Sequence, residues 1–356
     1  MDEQPVALST VRARLRLWSE VLATSTYRLI EIERPGDLER FTPSAGMSPL
    51  TPDEFARHRA DAHWVLADAD GCLAARCSLW WTSTPPHRSH RLGFIGHCAA
   101  GDAAAARLLL TQARAALAAA GCTLAVAPID GSTWRRYRFI TDRGTEPLFL
   151  FEPDHPDDWP SHLIEQKFTP WARYHSAVTT ELTRHDARLQ AIADRMAITG
   201  VAIRPLDLTH ADEELRRIYA VTVASFRRSF LFDPIGESEF LEEYRPIHRF
   251  VDPAIVLIAE QQRCPVGFVF AVPDWLQRQR GRSIDTIIVK TLAVVPGRSY
   301  AGLGNLLASR CEHLAAGLGY TRAIHALMHE ASPSRNISHR YAKRIRRYTL
   351  FARALP

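Results

Sequence analysis

Residues 294–307 read VVPGRSYAGLGNLL: an apolar run, a proline, a basic loop, and two glycines at the mouth of a helix-like stretch. The chemistry open to this order is the holding of phosphate. In the first turn of a helix the backbone N–H groups have no intrahelical partner, and the helix dipole favours negative charge there. Gly302 and Gly304 let an anion approach those groups, and Arg298 adds a cation beside them. Arg298, Ser299, Tyr300, Ala301, Gly302, Leu303, Gly304 and Asn305 are therefore expected to form a pyrophosphate seat. The alternative reading of the same letters is a tight turn whose glycines only relieve crowding.

A seat of this kind needs a strand before it and a helix after it. The run SIDTIIVKTLAVV is apolar over most of its length, as a buried central strand would be, and Pro296 ends it. After the loop, Leu303, Leu306, Leu307, Leu314 and Leu318 recur at helical spacing and predict one core-facing stripe. Upstream lie a strand at GVAIRPLD, helices at DEELRRIYAVTVASFRRS and ESEFLEEYRPIHRF, and strands at AIVLIAEQ and PVGFVFAVP. Downstream lie a strand at TRAIHALM, a helix near PSRNISHRYAKR and a last strand at RYTLFARAL.

The first half of the chain follows the same plan, and ALAAAGCTLAVAP answers HLAAGLGYTRAIHA. We read an internal duplication with a period of about 180 residues. The expected domains are 1–182 and 183–356, with 183–198 as a linking helix closed by Gly200. The first half has no equivalent seat. Its loop HCAAGDAAAARLLL has one glycine, and Asp102 stands where a phosphate would lie and repels it. One nucleotide-type ligand per chain is expected, in the second half. Thr133, Trp134, Arg135, Tyr137 and Arg138 form a polar–aromatic cluster after a first-half strand, read either as a capped turn or as the lining of an acceptor cleft between domains.

Hydrophobic residues make up 46% of the 356 and charged residues 23%, enough to bury two cores. The six cysteines show no CxxC pair and no metal-type spacing, which points to reduced thiols and no bound metal. The N-terminal stretch has no signal-like apolar region, and Arg107 and Arg114 interrupt the most apolar helix, so a cytoplasmic protein off the membrane is expected. The net charge is +5, and arginines crowd the last residues, among them Arg346, Arg347 and Arg353. They read as a solvated face or as an attractor of a nucleotide cofactor or nucleic acid.

The stretch LAVVPGRSYAGLGNLL, with TRAIHALM and the polar stretch before RYTLF, resembles the GNAT acyltransferase superfamily over residues 199–353. The superfamily loop has the form Arg/Gln-x-x-Gly-x-Gly/Ala; here Ser299 falls in the first slot and the arginine is displaced to Arg298. The resemblance implies a mixed α/β (α+β) fold of two tandem GNAT-like domains, each a mixed, mostly antiparallel sheet flanked by helices, with the first domain degenerate. It implies an acyl-coenzyme A donor, acetyl-CoA foremost, whose pantetheine arm lies along Leu292, Ala293 and Val294.

The activity so implied is an N-acyltransferase acting on a small amine or amino-acid-like acceptor, by direct transfer in a ternary complex, in a monomer or homodimer. Two other readings stay open: a tandem-GNAT transferase that uses aminoacyl-tRNA, and a non-catalytic CoA-binding protein. The strand often lends a glutamate as base; this one offers Asp285, Thr286, Lys290 and Thr291 instead. The family's leaving-group acid is a tyrosine behind an asparagine. Two registers are open: Ser332 in the asparagine slot, as a cofactor contact, puts His339 in the tyrosine slot, whereas Asn336 in that slot puts Lys343 there with Tyr341 as a near neighbour. His325, in the strand beside the expected thioester, is a further catalytic candidate or a structural histidine.

Overall fold

The computed structural model describes residues 26–43, 47, 50–331 and 341–356. In chain order the elements begin with β1 (Arg28–Glu31), α1 (Pro52–His58), β2 (Ala62–Ala67), β3 (Leu73–Trp80), β4 (Leu92–Ala100), α2 (Ala103–Ala119), β5 (Leu124–Ala127), β6 (Phe139–Asp142) and α3 (Trp159–Glu165). They continue with β7 (Thr169–Thr179), α4 (Ala187–Ile198), β8 (Val201–Pro205), α5 (Ala211–Phe226), α6 (Glu237–Tyr244), β9 (Leu257–Gln261) and β10 (Cys264–Pro273). The last are α7 (Trp275–Gln279), β11 (Thr286–Val294), α8 (Leu303–Gly317), β12 (Arg322–His329) and β13 (Lys343–Ala354).

The chain divides into two compact units. Among the described residues, unit 1 holds those within 26–141, 153–172 and 349–356, and unit 2 those within 142–152, 173–331 and 341–348. The division is not one cut near residue 183. Residues 351–354 of β13 pair antiparallel with β5, and residues 174–179 of β7 pair antiparallel with β12.

Each unit is a mixed sheet built to one plan. In unit 1, β1 to β4 pair antiparallel in sequence order, β4 and β5 pair parallel across α2, and β13 adds antiparallel to β5. In unit 2, β8 to β11 pair antiparallel, β11 and β12 pair parallel across α8, and β7 adds antiparallel to β12. A parallel pair needs a long crossover, and a helix supplies it in both units. The repeat does not keep one period. β1 and β8 start 173 residues apart, whereas α2 and α8 start 200 apart, because the β8–β9 connection carries the two helices α5 and α6.

The crossover helices show why these residues fold this way. In α2, Leu109, Ala113, Ala116 and Leu117 are buried at helical spacing against β3 and β4 side chains such as Leu79 and Ile95. In α8 the buried line is Leu303, Leu307, Cys311 and Ala315. These steps of four rotate about 40° each, so the contact face drifts as the helix crosses its sheet. That drift leaves Leu314 and Leu318 45% and 53% exposed, against the expected stripe.

Gly302, at the N-cap of α8, is also required by packing. Gly302 has φ +86°, and a Cβ there would stand 2.7 Å from Cδ1 of Ile192 on α4. Arg195 of α4 also donates to the Ala301 carbonyl. Gly304 is different: its Cβ would meet Leu292 at 3.6 Å, ordinary contact.

The basic C-terminal run is partly internal. Arg346 is 1% exposed, donates to the carbonyls of Arg143 and Glu146, and pairs with the buried Glu152 carboxylate, which also accepts from Tyr348. It is therefore not a surface attractor of polyanions. A buried pair adds little net stability, but breaking it strands a charge.

Two outcomes follow for stability. Arg346→Leu should cost about 3–5 kcal/mol in urea unfolding, and adding Glu152→Leu should recover part of that loss. Gly302→Ala should cost about 1–3 kcal/mol, because φ and Ile192 both oppose a Cβ, whereas Gly304→Ala should be close to neutral.

Candidate functional site

The loop from Pro296 to Ala301 is open to solvent at residues 296–299 and 301, and a 3-10 turn at Arg298–Tyr300 leads into α8. Tyr300 anchors the turn, its hydroxyl donating to Gln261 Oε1 at 2.6 Å. No side chain caps α8 and its first turn holds no acidic residue. The leading N–H groups, at Leu303, Gly304 and Asn305, thus lack an intrahelical acceptor by position. Arg298 is exposed at the same end. This is a fit for an anionic group: donors without a protein acceptor and no competing carboxylate.

Beside this turn, two strands part. β11 and β12 pair in parallel from Thr286↔Arg322 to Val289↔His325, and the ladder stops there. β11 runs on to Val294, paired with β10 through Leu292↔Val269, Ala293↔Phe268 and Val294↔Gly267. β12 bends away through a positive φ at Leu327 and stays with β7 by Met328↔His175. The result is a fork whose β11 arm includes Leu292, Ala293 and Val294. An extended, amide-bearing chain can lie along such an arm as a strand would.

A buried polar cluster lies at the last rung of the ladder. His325, 4% exposed, meets Glu312 of α8 with Nε2 and Oε1 2.8 Å apart. Glu312 is fully buried and is balanced by Arg184, which bonds its other oxygen. The Arg184 guanidinium lies 3.3 Å over the Tyr341 ring, and the His325 and Tyr341 rings meet edge to face at 6.0 Å. The Tyr341 phenol oxygen is buried and has no hydrogen-bond partner among the described residues. Burial, and after it the Glu312 carboxylate, raises its pKa, so it stays protonated at neutral pH and can donate.

Of the three catalytic candidates, His325 and Tyr341 come together here, and Ser332 and His339 lie outside the described residues. The sequence reading missed Glu312 and Arg184. The one available signal was helical spacing, which sets Glu312 four residues after Ala308 and three before Ala315 on one side of LLASRCEHLAAG. Asp285 is at the far end of β11, engaged with Thr286 and Gln277, and Lys290 donates to the Phe151 carbonyl at 3.2 Å.

Unit 1 treats the same two places differently. Asp102 caps α2 by accepting from Ala105 N–H at 2.8 Å, and it also accepts from the Tyr27 hydroxyl at 2.8 Å. Its parallel ladder ends at Phe94↔Val126. Beyond that rung, Ile129 N–H bonds the Ile95 carbonyl at 3.0 Å and the Asp130 carboxylate takes His97 N–H at 2.6 Å. Seat and fork are both filled by the chain itself. Of the expected acceptor cluster, Tyr137 and Arg138 line a cavity within unit 1, whereas Thr133, Trp134 and Arg135 do not. Arg135 instead bonds the carbonyls of Arg57 and His58 at the end of α1.

Among the described residues, no group of His, Cys, Asp and Glu is placed to hold a metal ion, and no helix is long and apolar enough to cross a membrane. No family model matches the chain, and no curated protein matches it in sequence.

Solved structures do match in fold. One is described as a GCN5-related glucosamine N-acetyltransferase region of a fungal multi-domain GH3 β-N-acetylglucosaminidase. It matches 92% of this chain with a TM-score of 0.53 at 14% identity, and the chain spans 38% of that protein's length. A conserved protein of unknown function from Enterococcus faecalis V583, described as a probable N-acyltransferase, matches 93% of this chain with a TM-score of 0.51 at 11% identity. The match covers 72% of that protein. With parallel strands parting beside the start of a crossover helix in unit 2, and the same ladder repeated in unit 1, the chain has the GNAT N-acetyltransferase fold.

Proposed function

We propose that the chain is an acyl-CoA-dependent N-acyltransferase, with acetyl-CoA as donor and a small amine as acceptor, and that unit 2 alone holds the donor. The observation that carries this reading is the uncapped, carboxylate-free start of α8 next to the fork of β11 and β12. The donor's diphosphate would take the N–H groups of residues 303–305 with Arg298 alongside, and its pantetheine amides would follow Leu292–Val294. Its thioester would then lie toward the last rung of the ladder, where Tyr341 is held.

Transfer requires the amine to attack the thioester carbonyl and release a proton to solvent, the C–S bond to break, and the departing thiolate to gain a proton from an acid that solvent then reprotonates. Tyr341, kept protonated by its surroundings, is the donor we assign to that second step. Arg184 stacks on its ring and Glu312 holds Arg184, so both act as positioning residues, and His325 orients Glu312. A covalent acyl-cysteine step has little support in unit 2: Cys311 is buried and burial pushes its thiol well up, while Cys264 opens β10 at an exposed turn.

The charge sign of the seat can be tested without harming the helix. Asn305→Asp adds a carboxylate to the first turn of α8, where the dipole favours it by about 0.3–1 kcal/mol. Calorimetric titration should show at least a tenfold loss of acetyl-CoA affinity with an unchanged or higher unfolding midpoint. Full affinity in this variant would remove the diphosphate from the seat. For the chemistry, Tyr341→Phe should lower kcat about a hundredfold and leave the KM for acetyl-CoA unchanged. An unaltered kcat would take Tyr341 out of the reaction.

A further inference from the structure

Unit 1 contains a cavity of about 380 Å3, a size small molecules occupy. Its position follows from the closed fork. The segment after β5 folds back as a hairpin: Asp130 N–H bonds the Arg136 carbonyl and Arg138 N–H bonds the Pro128 carbonyl, both at 2.9 Å. Gly131 allows the turn, with φ +81° and the Trp80 indole where a Cβ would go. The hairpin therefore presents its side chains from a fixed frame.

The two walls differ. One is aromatic, with Phe139 and His155 at 4.5 Å and His155 stacked with Trp159 at 5.9 Å. The other is charged: Arg76, Arg136 and Arg138 against Glu54, Asp130 and Asp154.

The acceptors of the charged wall are largely engaged. Glu54 takes Thr51 N–H and hydroxyl at 3.0 and 2.9 Å, and Asp130 takes His97 N–H. The histidine behind it is engaged too: His97 bonds His58 at 2.7 Å and Ser78 at 2.8 Å, and Ser78 bonds His63 at 2.7 Å. Burial holds His97 down to about 2 and His58 and His63 to about 4, so these three histidines carry no charge at neutral pH. His155 accepts from Ile140 N–H and donates to the Pro156 carbonyl, both at 2.7 Å.

On the donor side, Arg76 gives to the His97 carbonyl at 2.8 Å. The Arg136 side chain stands exposed at the rim and makes no hydrogen bond among the described residues, its charge acting at a distance on Glu54 and Asp130. Three cations balance three carboxylates, which disfavours a polyanion such as coenzyme A and leaves one guanidinium available for one acceptor group.

We propose that this cavity binds a small organic monocarboxylate, its carboxylate on Arg136 and its apolar body against Phe139 and Trp159. The site is separate from the acyl-CoA seat and does not depend on it.

The test is calorimetric titration of the full chain with phenylacetate, phenylalanine and phenethylamine. Phenylacetate should bind one per chain, and phenethylamine, which lacks the anion, should not. Arg136→Ala should weaken phenylacetate at least tenfold, Arg136→Lys should restore part of it, and acetyl-CoA affinity should stay the same in both. Tighter binding of phenylalanine than of phenylacetate assigns the carboxylate to an amino acid, and the reverse assigns it to a simple acid. The proposal fails if neither acid saturates, if phenethylamine binds as well as phenylacetate, or if Arg136→Ala changes nothing. Phenylacetate binding in a protein that ignores acetyl-CoA would sink the transferase reading and leave this one standing.

Discussion

Backbone polar groups must find partners, and unit 2 is organised around a place where the fold withholds them. The ladder between β11 and β12 stops at Val289↔His325, while β11 runs on to Val294. The crossover helix that makes the parallel pairing possible begins within the same connection, and its first N–H groups are uncapped. Two consequences of strand and helix geometry thus converge on one end of the sheet. The buried cluster of Glu312, Arg184, His325 and Tyr341 is ordered around the last rung, where the unit stops satisfying itself.

Unit 1 shows that the constraint can be answered from within. Its ladder has the same strand order and also stops short, at Phe94↔Val126, yet Asp102 occupies the helix start and Ile129 and Asp130 occupy the fork. The hairpin of residues 128–138 that closes the fork also forms a wall of the cavity. The same fold therefore leaves its helix start and fork open in one unit and fills them in the other, a difference made by a few side chains rather than by architecture.

What could be read in the letters was what chain geometry writes locally. Pro296 and the glycines after it mark a strand end and a helix start, and Asp102 before an alanine run marks a cap. The parallel between the halves was legible from paired helix ends, although α5 and α6 stretch its period. Groups assembled from distant positions were not legible. Glu312 meets His325 thirteen residues on and Arg184 at a separation of 128, and nothing in those spacings announces a cluster. Arg346 read as one more surface cation in a basic run, since only its buried partner Glu152, 194 residues away, reveals its role. The drift of the α8 contact face misled the leucine count, because a stripe on paper is straight and a helix crossing a twisted sheet is not.

Residues 351–354 complete β5 by pairing with residues 124–127, so Phe351 meets Ala127 across 224 positions. Closing so long a loop is slow relative to local helix formation. On the ribosome, unit 1 waits with an open strand edge until residues 351–354 have been made, and an open edge is where misassembly starts. A chain cut short before residue 349 would carry that edge permanently, so the N-terminal portion is not a module to be expressed by itself.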